Sequence, residues 1–536
     1  MLVFKKREIM RIDIKTNKVG AIRSCLLLMM VGVFFWSCTE DNVLGLEPYN
    51  QISEEAAFST PDLVDLSVTG MYNSAQRGYY SDGSGRGYPF GAAVIQQNDN
   101  RGEDVVNTQA FYQLTYTATY DPTTANNVYY WSDTYRLINR ANIVIEGVAT
   151  ALENGIISPE VAADYTAQAR FLRALSHFEL VLHFARPYHH TAGGSHLGVP
   201  YREMAFNTEA NIEAGFEQGR HTVAEVYSKA LADLDAAEAD LLSKEDRGGG
   251  PGITRATQEA AAALKSRIYL HMRDWNSVLQ EGEKLAGTYS LEDSPNGPFA
   301  NGYGNNESIF SMENSANNNP GVNAALASQY KARQLVAISP IIWNNDDWLA
   351  DDLRRSDSES DGMVFSAGGV LYTNKYKDAT NFSDATPIIR YAEVLLNMAE
   401  AHARLGNLDA AISTLNQVRN RSLADPATQA YTSGDLPSQE AVLEAIIFER
   451  RIEFLMEGNR WHDIHRLQGD DLVPIDGIPA KYPNGIPNPE DYQIGTPFTD
   501  FGVNHVPYDD YRFVWPIPQL EINSNPVLAG EQNPGW

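Results

Sequence analysis

Between residues 388 and 418 the apolar positions recur at three- and four-residue steps with one break, and that spacing confines the segment to two consecutive helices. Thr386-Pro387 reads as a cap followed by proline in the first helical position, after which Ile388, Ala392, Leu395, Ala399 and His402 mark one face as far as Gly406. Asn407 opens a second helix whose face carries Leu408, Ala411, Ile412, Leu415 and Val418. A connection this short makes the two helices antiparallel neighbours. The same texture returns at residues 222–242 with 263–285, at 167–184 where Pro187 stops the helix, and at 438–457 closed by Gly458. A mostly α chain built from helical hairpins follows.

Leu395, Met398, Ala399, His402, Gly406, Ala411, Leu415 and Val418 fall at the spacing of a tetratricopeptide unit, and Ser266, Tyr269, Trp275, Val278 and Leu285 repeat its offsets. Long insertions separate these units. Residues 294–323 are rich in Asn, Gly, Ser and Pro, and residues 468–512 in Pro, Gly, Asp and Tyr, too long and irregular for simple connectors. Ordered loops of such length usually carry function. A third irregular stretch, residues 78–90, places Tyr79, Tyr80 and Tyr88 among glycines and runs into Gln96-Gln97-Asn98-Asp99-Asn100-Arg101. Aromatic rings among amides suit stacking on sugar rings and hydrogen bonding to hydroxyls.

The N-terminus has the layout of a signal peptide. Seven Lys and Arg precede the apolar residues 26–36, a run shorter than the roughly 20 residues a membrane span needs. Phe35-Trp36-Ser37-Cys38 resembles a relaxed form of the lipobox cut by bacterial lipoprotein signal peptidase, which divides the chain into a signal peptide, 1–37, and a mature domain, 38–536. Met10 offers a second start for the same signal. Acylation of Cys38 would anchor the chain stably, since each buried methylene contributes about 0.8 kcal/mol and several chains act together. Thr39-Glu40-Asp41 resembles the short acidic tag that sends some lipoproteins to the outer face of the outer membrane. The formal charge is −28, and removing residues 1–37, with seven basic and two acidic side chains, leaves −33. Nucleic acid is excluded as a partner for such a surface. The only other cysteine, Cys25, lies in the signal segment, so stability must come from a packed core.

Several landmarks carry a family resemblance. They are Leu46-Glu47-Pro48 with Ser53-Glu54-Glu55-Ala56; Ala169-Arg170-Phe171-Leu172-Arg173-Ala174-Leu175; and Arg390-Tyr391-Ala392-Glu393-Val394-Leu395-Leu396-Asn397 with Ala399-Glu400-Ala401. Further on come Glu449-Arg450-Arg451-Ile452-Glu453-Phe454 with Glu457-Gly458-Asn459-Arg460-Trp461, then Pro516-Ile517-Pro518-Gln519 with Glu521-Ile522, and the terminal Gln532-Asn533-Pro534-Gly535-Trp536. In this order they resemble the SusD/RagB-like lipoproteins, surface glycan-binding partners of TonB-dependent transporters. The resemblance implies a superhelix of about four tetratricopeptide-like hairpins overlaid by a loop-rich region, here about 287–385 and 468–512, that forms the ligand side. It also implies a lid over a SusC-like outer-membrane barrel, with no catalytic residues and no cofactor.

The expected ligand contacts are Trp343 and Trp348, which sit in a polar, irregular context among Asn344, Asn345, Asp346 and Asp347. Tyr79, Tyr80, Tyr88, Asn98, Asp99, Asn100, Arg101 and Tyr303 join them, Arg101 being equally suited to hold a carboxylate in a bidentate bond. His177 and His183, six residues apart on one helix, point to different faces, so no metal site is expected there. Glu449, Glu453 and Glu457 share a helix face with Arg450, Arg451 and Arg460 nearby and read as solvated or paired charges. Two other functions compete with glycan delivery. One is a glycoside hydrolase using two loop carboxylates such as Asp99 and Asp347, and the other is peptide binding, either by the hairpins or by a peptide-importing relative.

Overall fold

Capping chemistry sets where each helix of the frame begins. In α1 (Pro61–Arg77), Thr60 accepts the Leu63 N–H and proline takes the first position. Beyond it lies α2 (Ala92–Asn100), and α1 packs against α3 (Ala125–Glu153). Ser158 and Pro159 start α4 (Pro159–Phe184). α5 (Val223–Asp240) opens with a reciprocal capping box between Thr222 and Glu225. α6 (Gln258–Met272) ends at Arg273, and Asp274 caps α7 (Trp275–Glu283). α8 (Tyr391–Arg404) turns at Gly406 into α9 (Leu408–Asn420), and α10 (Gln439–Glu453) turns through Gly458 into α11 (Arg460–Arg466). Neighbours pack in sequence, α3 on α4, α4 on α5, and so on to α7 on α8, while α8 also packs on α9 and α10. Leu395, Leu396, Ala399, Ala411, Leu415, Val418, Val442 and Ile446 form one buried seam among the last three.

The computed structural model describes residues 53–78 and 85–536, with Phe58–Trp536 as one unit, so Cys38, Tyr79, Tyr80 and the signal segment lie outside the described residues. No helix among the described residues is long and apolar enough to cross a membrane. Six short strands are described: β1 (Val105–Asn107), β2 (Ser308–Met312), β3 (Val336–Ile338), β4 (Val364–Ala367), β5 (Val370–Thr373) and β6 (Thr386–Arg390). They pair antiparallel as β1 with β3, β2 with β6 and β4 with β5. Val106 of β1, Ala337 of β3, Phe365 of β4 and Tyr372 of β5 pack with Tyr116 and Tyr482 in one cluster. Residues 468–512 hold no helix beyond single 3-10 turns and are tied by the bridges Ile478 to Val506 and Lys481 to Val503.

Two expectations change. Thr386-Pro387-Ile388 does not start a helix, because residues 386–390 pair with β2 and the helix begins at Tyr391. Pairing with a distant strand overrides a local cap signal. Likewise α10 ends at Glu453, so Glu457 lies beyond the helix face that carries Glu449 and Glu453.

Candidate ligand-binding site

The β2–β6 ribbon sets Ser308 opposite Arg390 and Ser311 opposite Pro387. A helical turn at Gly297–Ala300 and the next turn at Gly302–Gly304 bring Phe299 and Tyr303 over it. Lys375 and Tyr376 follow β5, and Ser383, Asp384 and Ala385 lead into β6. Together these residues surround a pocket of about 160 Å³.

Each wall has a fixed chemical role. Tyr303 Oη donates to the Asn314 carbonyl at 3.1 Å and accepts the Asn314 N–H at 2.8 Å, so its hydroxyl is fully engaged and burial pushes it up to about 12. What Tyr303 offers a ligand is its ring. Phe299, half-buried, lies 5.2 Å from Lys375 Nζ and 5.4 Å from the Arg390 guanidinium, with Tyr376 edge-on at 5.9 Å. Asp384 accepts the N–H groups of Lys377 at 3.1 Å and Asp378 at 2.8 Å, leaving acceptor capacity in a carboxylate that takes about four bonds. Burial raises its pKa despite those two donors.

Beneath the pocket lies a buried ion network. Lys375 Nζ donates to the carbonyls of Glu453 and Leu455, each at 2.9 Å, and to Glu457 at 2.6 Å. Arg390 reaches Glu457 at 2.7 Å, Glu453 at 3.1 Å and Glu307. Arg421 joins Glu307 to Glu453, Arg354 joins Asp352 to Glu449 and Glu453, and Arg419 reaches Glu449. Five cations thus meet five carboxylates. Burial alone would raise Glu453, but Arg421, Arg390 and Arg354 outweigh it and hold its pKa far below the carboxylate range. The three glutamates are paired, as expected, but they are not solvated.

Among the described residues marked in the sequence as ligand contacts, only Tyr303 lines this pocket. Trp343 and Trp348 are 7 % and 2 % exposed and meet edge-to-face at 5.4 Å. Arg355 lies 4.6 Å and 4.1 Å from their ring centres and donates to both their backbone carbonyls, at 2.7 Å and 2.9 Å. Both rings pack the loop onto the scaffold. The exposed neighbours are Asp346 and Asp347.

Asn98, Asp99, Asn100 and Arg101 belong to α2 and its end rather than to a loop, and all are buried. Asn100 Nδ2 donates to the Gln96 carbonyl at 2.7 Å. Asp99 accepts from Tyr330 Oη at 2.8 Å and the Gly458 N–H at 3.0 Å, and burial pushes it up to about 7. Arg101 has no carboxylate: its guanidinium sits 3.3 Å from the Trp461 ring centre and 5.2 Å from that of Trp515, donates to the Phe513 carbonyl, and is lowered to about 10 by burial. Tyr88 is also core, accepting from Gln97 Nε2 at 3.0 Å and packing edge-on to Tyr130 at 6.0 Å. His177 engages the Arg173 carbonyl through Nδ1 at 2.9 Å and the Arg202 N–H through Nε2 at 3.0 Å. Sequence reasoning missed Phe299 and Asp384. Phe299 was within reach, an aromatic four residues before Tyr303 in the flagged stretch 294–323.

The chain is similar to proteins of one family along most of its length. The model of the SusD family matches residues 343–536, and that described as starch-binding associating with outer membrane matches residues 44–270. SusD-like protein P25 of Formosa agariphila is 24 % identical over 566 residues, covering 92 % of this chain and 95 % of that protein. The solved structure of a SusD superfamily protein from Bacteroides fragilis, 29 % identical, superposes with a TM-score of 0.71 over 88 % of this chain and 99 % of that one. A SusD-like carbohydrate binding protein from Bacteroides vulgatus, 20 % identical, gives 0.68 over 87 % and 97 %.

Proposed function

Because the chain belongs to the SusD/RagB-like family, we propose that it is a lipid-anchored, outer-membrane surface protein that binds oligosaccharide and passes it to a TonB-dependent barrel without altering it. The observation that carries the reading is the pocket over the β2–β6 ribbon. It combines three aromatic residues, Phe299, Tyr303 and Tyr376, with small hydroxyls and one carboxylate, the set that pairs the apolar face and polar rim of a pyranose. The helical frame holds that set on rigid supports, and Cys38, outside the described residues, is the attachment point for lipid. A hydrolase built on Asp99 and Asp347 gains no support, since Asp99 is closed inside the core. The ligand-contact role first given to the Trp343–Trp348 loop passes to Phe299 and Tyr303.

The test uses soluble chain begun at Thr39, titrated calorimetrically with a panel of polysaccharides and with a peptide mixture. Saturable glycan binding without product is expected, weakened about tenfold or more in Tyr303→Ala, in line with a ring contact worth over 1 kcal/mol. Binding of peptides alone would place the chain in a peptide-importing branch. Co-purification of a barrel with the anchored protein, lost with Cys38→Ala, checks the partner and anchor together.

A further inference from the structure

The pocket contains two cations, yet neither is available to a ligand. Lys375 has three N–H bonds and all three are taken by Glu453, Leu455 and Glu457. Arg390 is bonded through Nε, Nη1 and Nη2 to Glu457, Glu307 and Glu453. The network behind them, Arg354, Lys375, Arg390, Arg419 and Arg421 against Glu307, Asp352, Glu449, Glu453 and Glu457, is balanced charge for charge. What else lines the cavity is neutral or acceptor-type: the rings of Phe299, Tyr303 and Tyr376, apolar side chains, small hydroxyls, and the Asp384 carboxylate. A carboxylate or sulfate placed here would lose its hydration, find no unoccupied cationic donor, and meet Asp384 as a like charge.

Size narrows the occupant too. A volume of about 160 Å³ is well below that of pockets enclosing whole drug-sized ligands. One ring fits inside while the rest of a chain stays outside.

We propose that this pocket selects a single uncharged sugar ring, stacked on Phe299 and Tyr303 with its hydroxyls on Asp384, and that it rejects uronate and sulfated units. The proposal rests on the glycan-binding reading and sharpens it to a ligand class. Discrimination here comes from a repulsive element, Asp384, joined to a cation pair already neutralised from below.

The experiment takes the neutral polysaccharide that binds best in the panel and its counterpart with primary hydroxyls oxidised to carboxylates, so linkage is constant and only charge differs. Titration of the soluble chain should show the oxidised form binding about tenfold or more weakly, as like-charge contact dictates. Asp384→Asn keeps the shape and removes the charge, and should narrow that gap. Tyr303→Leu, which removes the ring, should bind the neutral form about tenfold or more weakly; thermal melts confirm that each variant is folded. Equal or tighter binding of the oxidised form, or a panel in which only acidic polysaccharides bind, overturns the proposal and leaves glycan binding standing. Neutral-glycan binding indifferent to Tyr303→Leu also overturns it, by moving the site elsewhere. Absence of binding to any carbohydrate removes the glycan reading and this inference with it.

Discussion

Individual buried charges in this protein are held in two contrasting ways. Asp99 has two neutral hydrogen-bond donors, so burial dominates and lifts it to about 7. Asp463 is also buried, but Arg450 and Arg466 overcome that and hold it down to about 2. For Asp99 the folded state keeps a proton that the unfolded chain releases near pH 4, so stability falls as pH rises from about 4 to 7. Asp99→Asn keeps an acceptor for Tyr330 and Gly458 without the charge. Denaturant melts should find it more stable than wild type by on the order of 4 kcal/mol at pH 8, with the difference shrinking as pH falls and gone near pH 4. The same difference at both pH values would show that another group titrates. None of this was legible from Asn98-Asp99-Asn100-Arg101 as letters. A polar tetrapeptide after an aromatic loop reads as surface, and only long-range partners such as Tyr330, Phe513 and Trp515 turn it into core.

At the scale of elements the chain is most readable where local chemistry is sufficient. The α8–α9 hairpin, its Gly406 turn and the α5 cap box follow from periodicity and capping residues within a few positions of each other. Residues 386–390 broke the pattern because their partner, β2, lies some eighty residues earlier in the chain, beyond any local signal. The two turn glycines separate conformation from packing. Gly406 has φ +81° with nothing within 4 Å of a built Cβ, whereas Gly458 has φ +84° and its Cβ would meet Ile95 Cα at 3.1 Å. Gly406→Ala should cost about 1–2 kcal/mol from the left-handed backbone alone. Gly458→Ala should cost more, since α2 must also shift, and equal costs in urea melts would refute the packing contribution.

For the molecule as a whole, the ion network is the joint between the helical frame and the loop-rich half. Glu449 and Glu453 come from α10, while Glu307, Asp352, Arg354, Lys375 and Arg390 come from the strands and loops. Glu453 has a depressed folded pKa, so its contribution is present above the unfolded value near 4 and is lost as pH falls below it. Glu453→Gln, which leaves five buried cations against four carboxylates, should destabilise by about 3–5 kcal/mol at pH 7 and flatten the acid-unfolding slope below pH 4. An unchanged acid slope would mean the joint titrates elsewhere. By itself the sequence determined the helical class, the hairpin pairs, the irregular segments 294–323 and 468–512 and the family, because periodicity, caps and landmark motifs are local. The tertiary structure alone decided which aromatics line the pocket and which charges are paired, because burial and pairing depend on residues far apart in the chain. Trp343 and Trp348 sit in a polar stretch of sequence, yet Arg355 and the scaffold close over them, and Lys375 and Arg390 line the pocket with their charges already met by Glu307, Glu453 and Glu457.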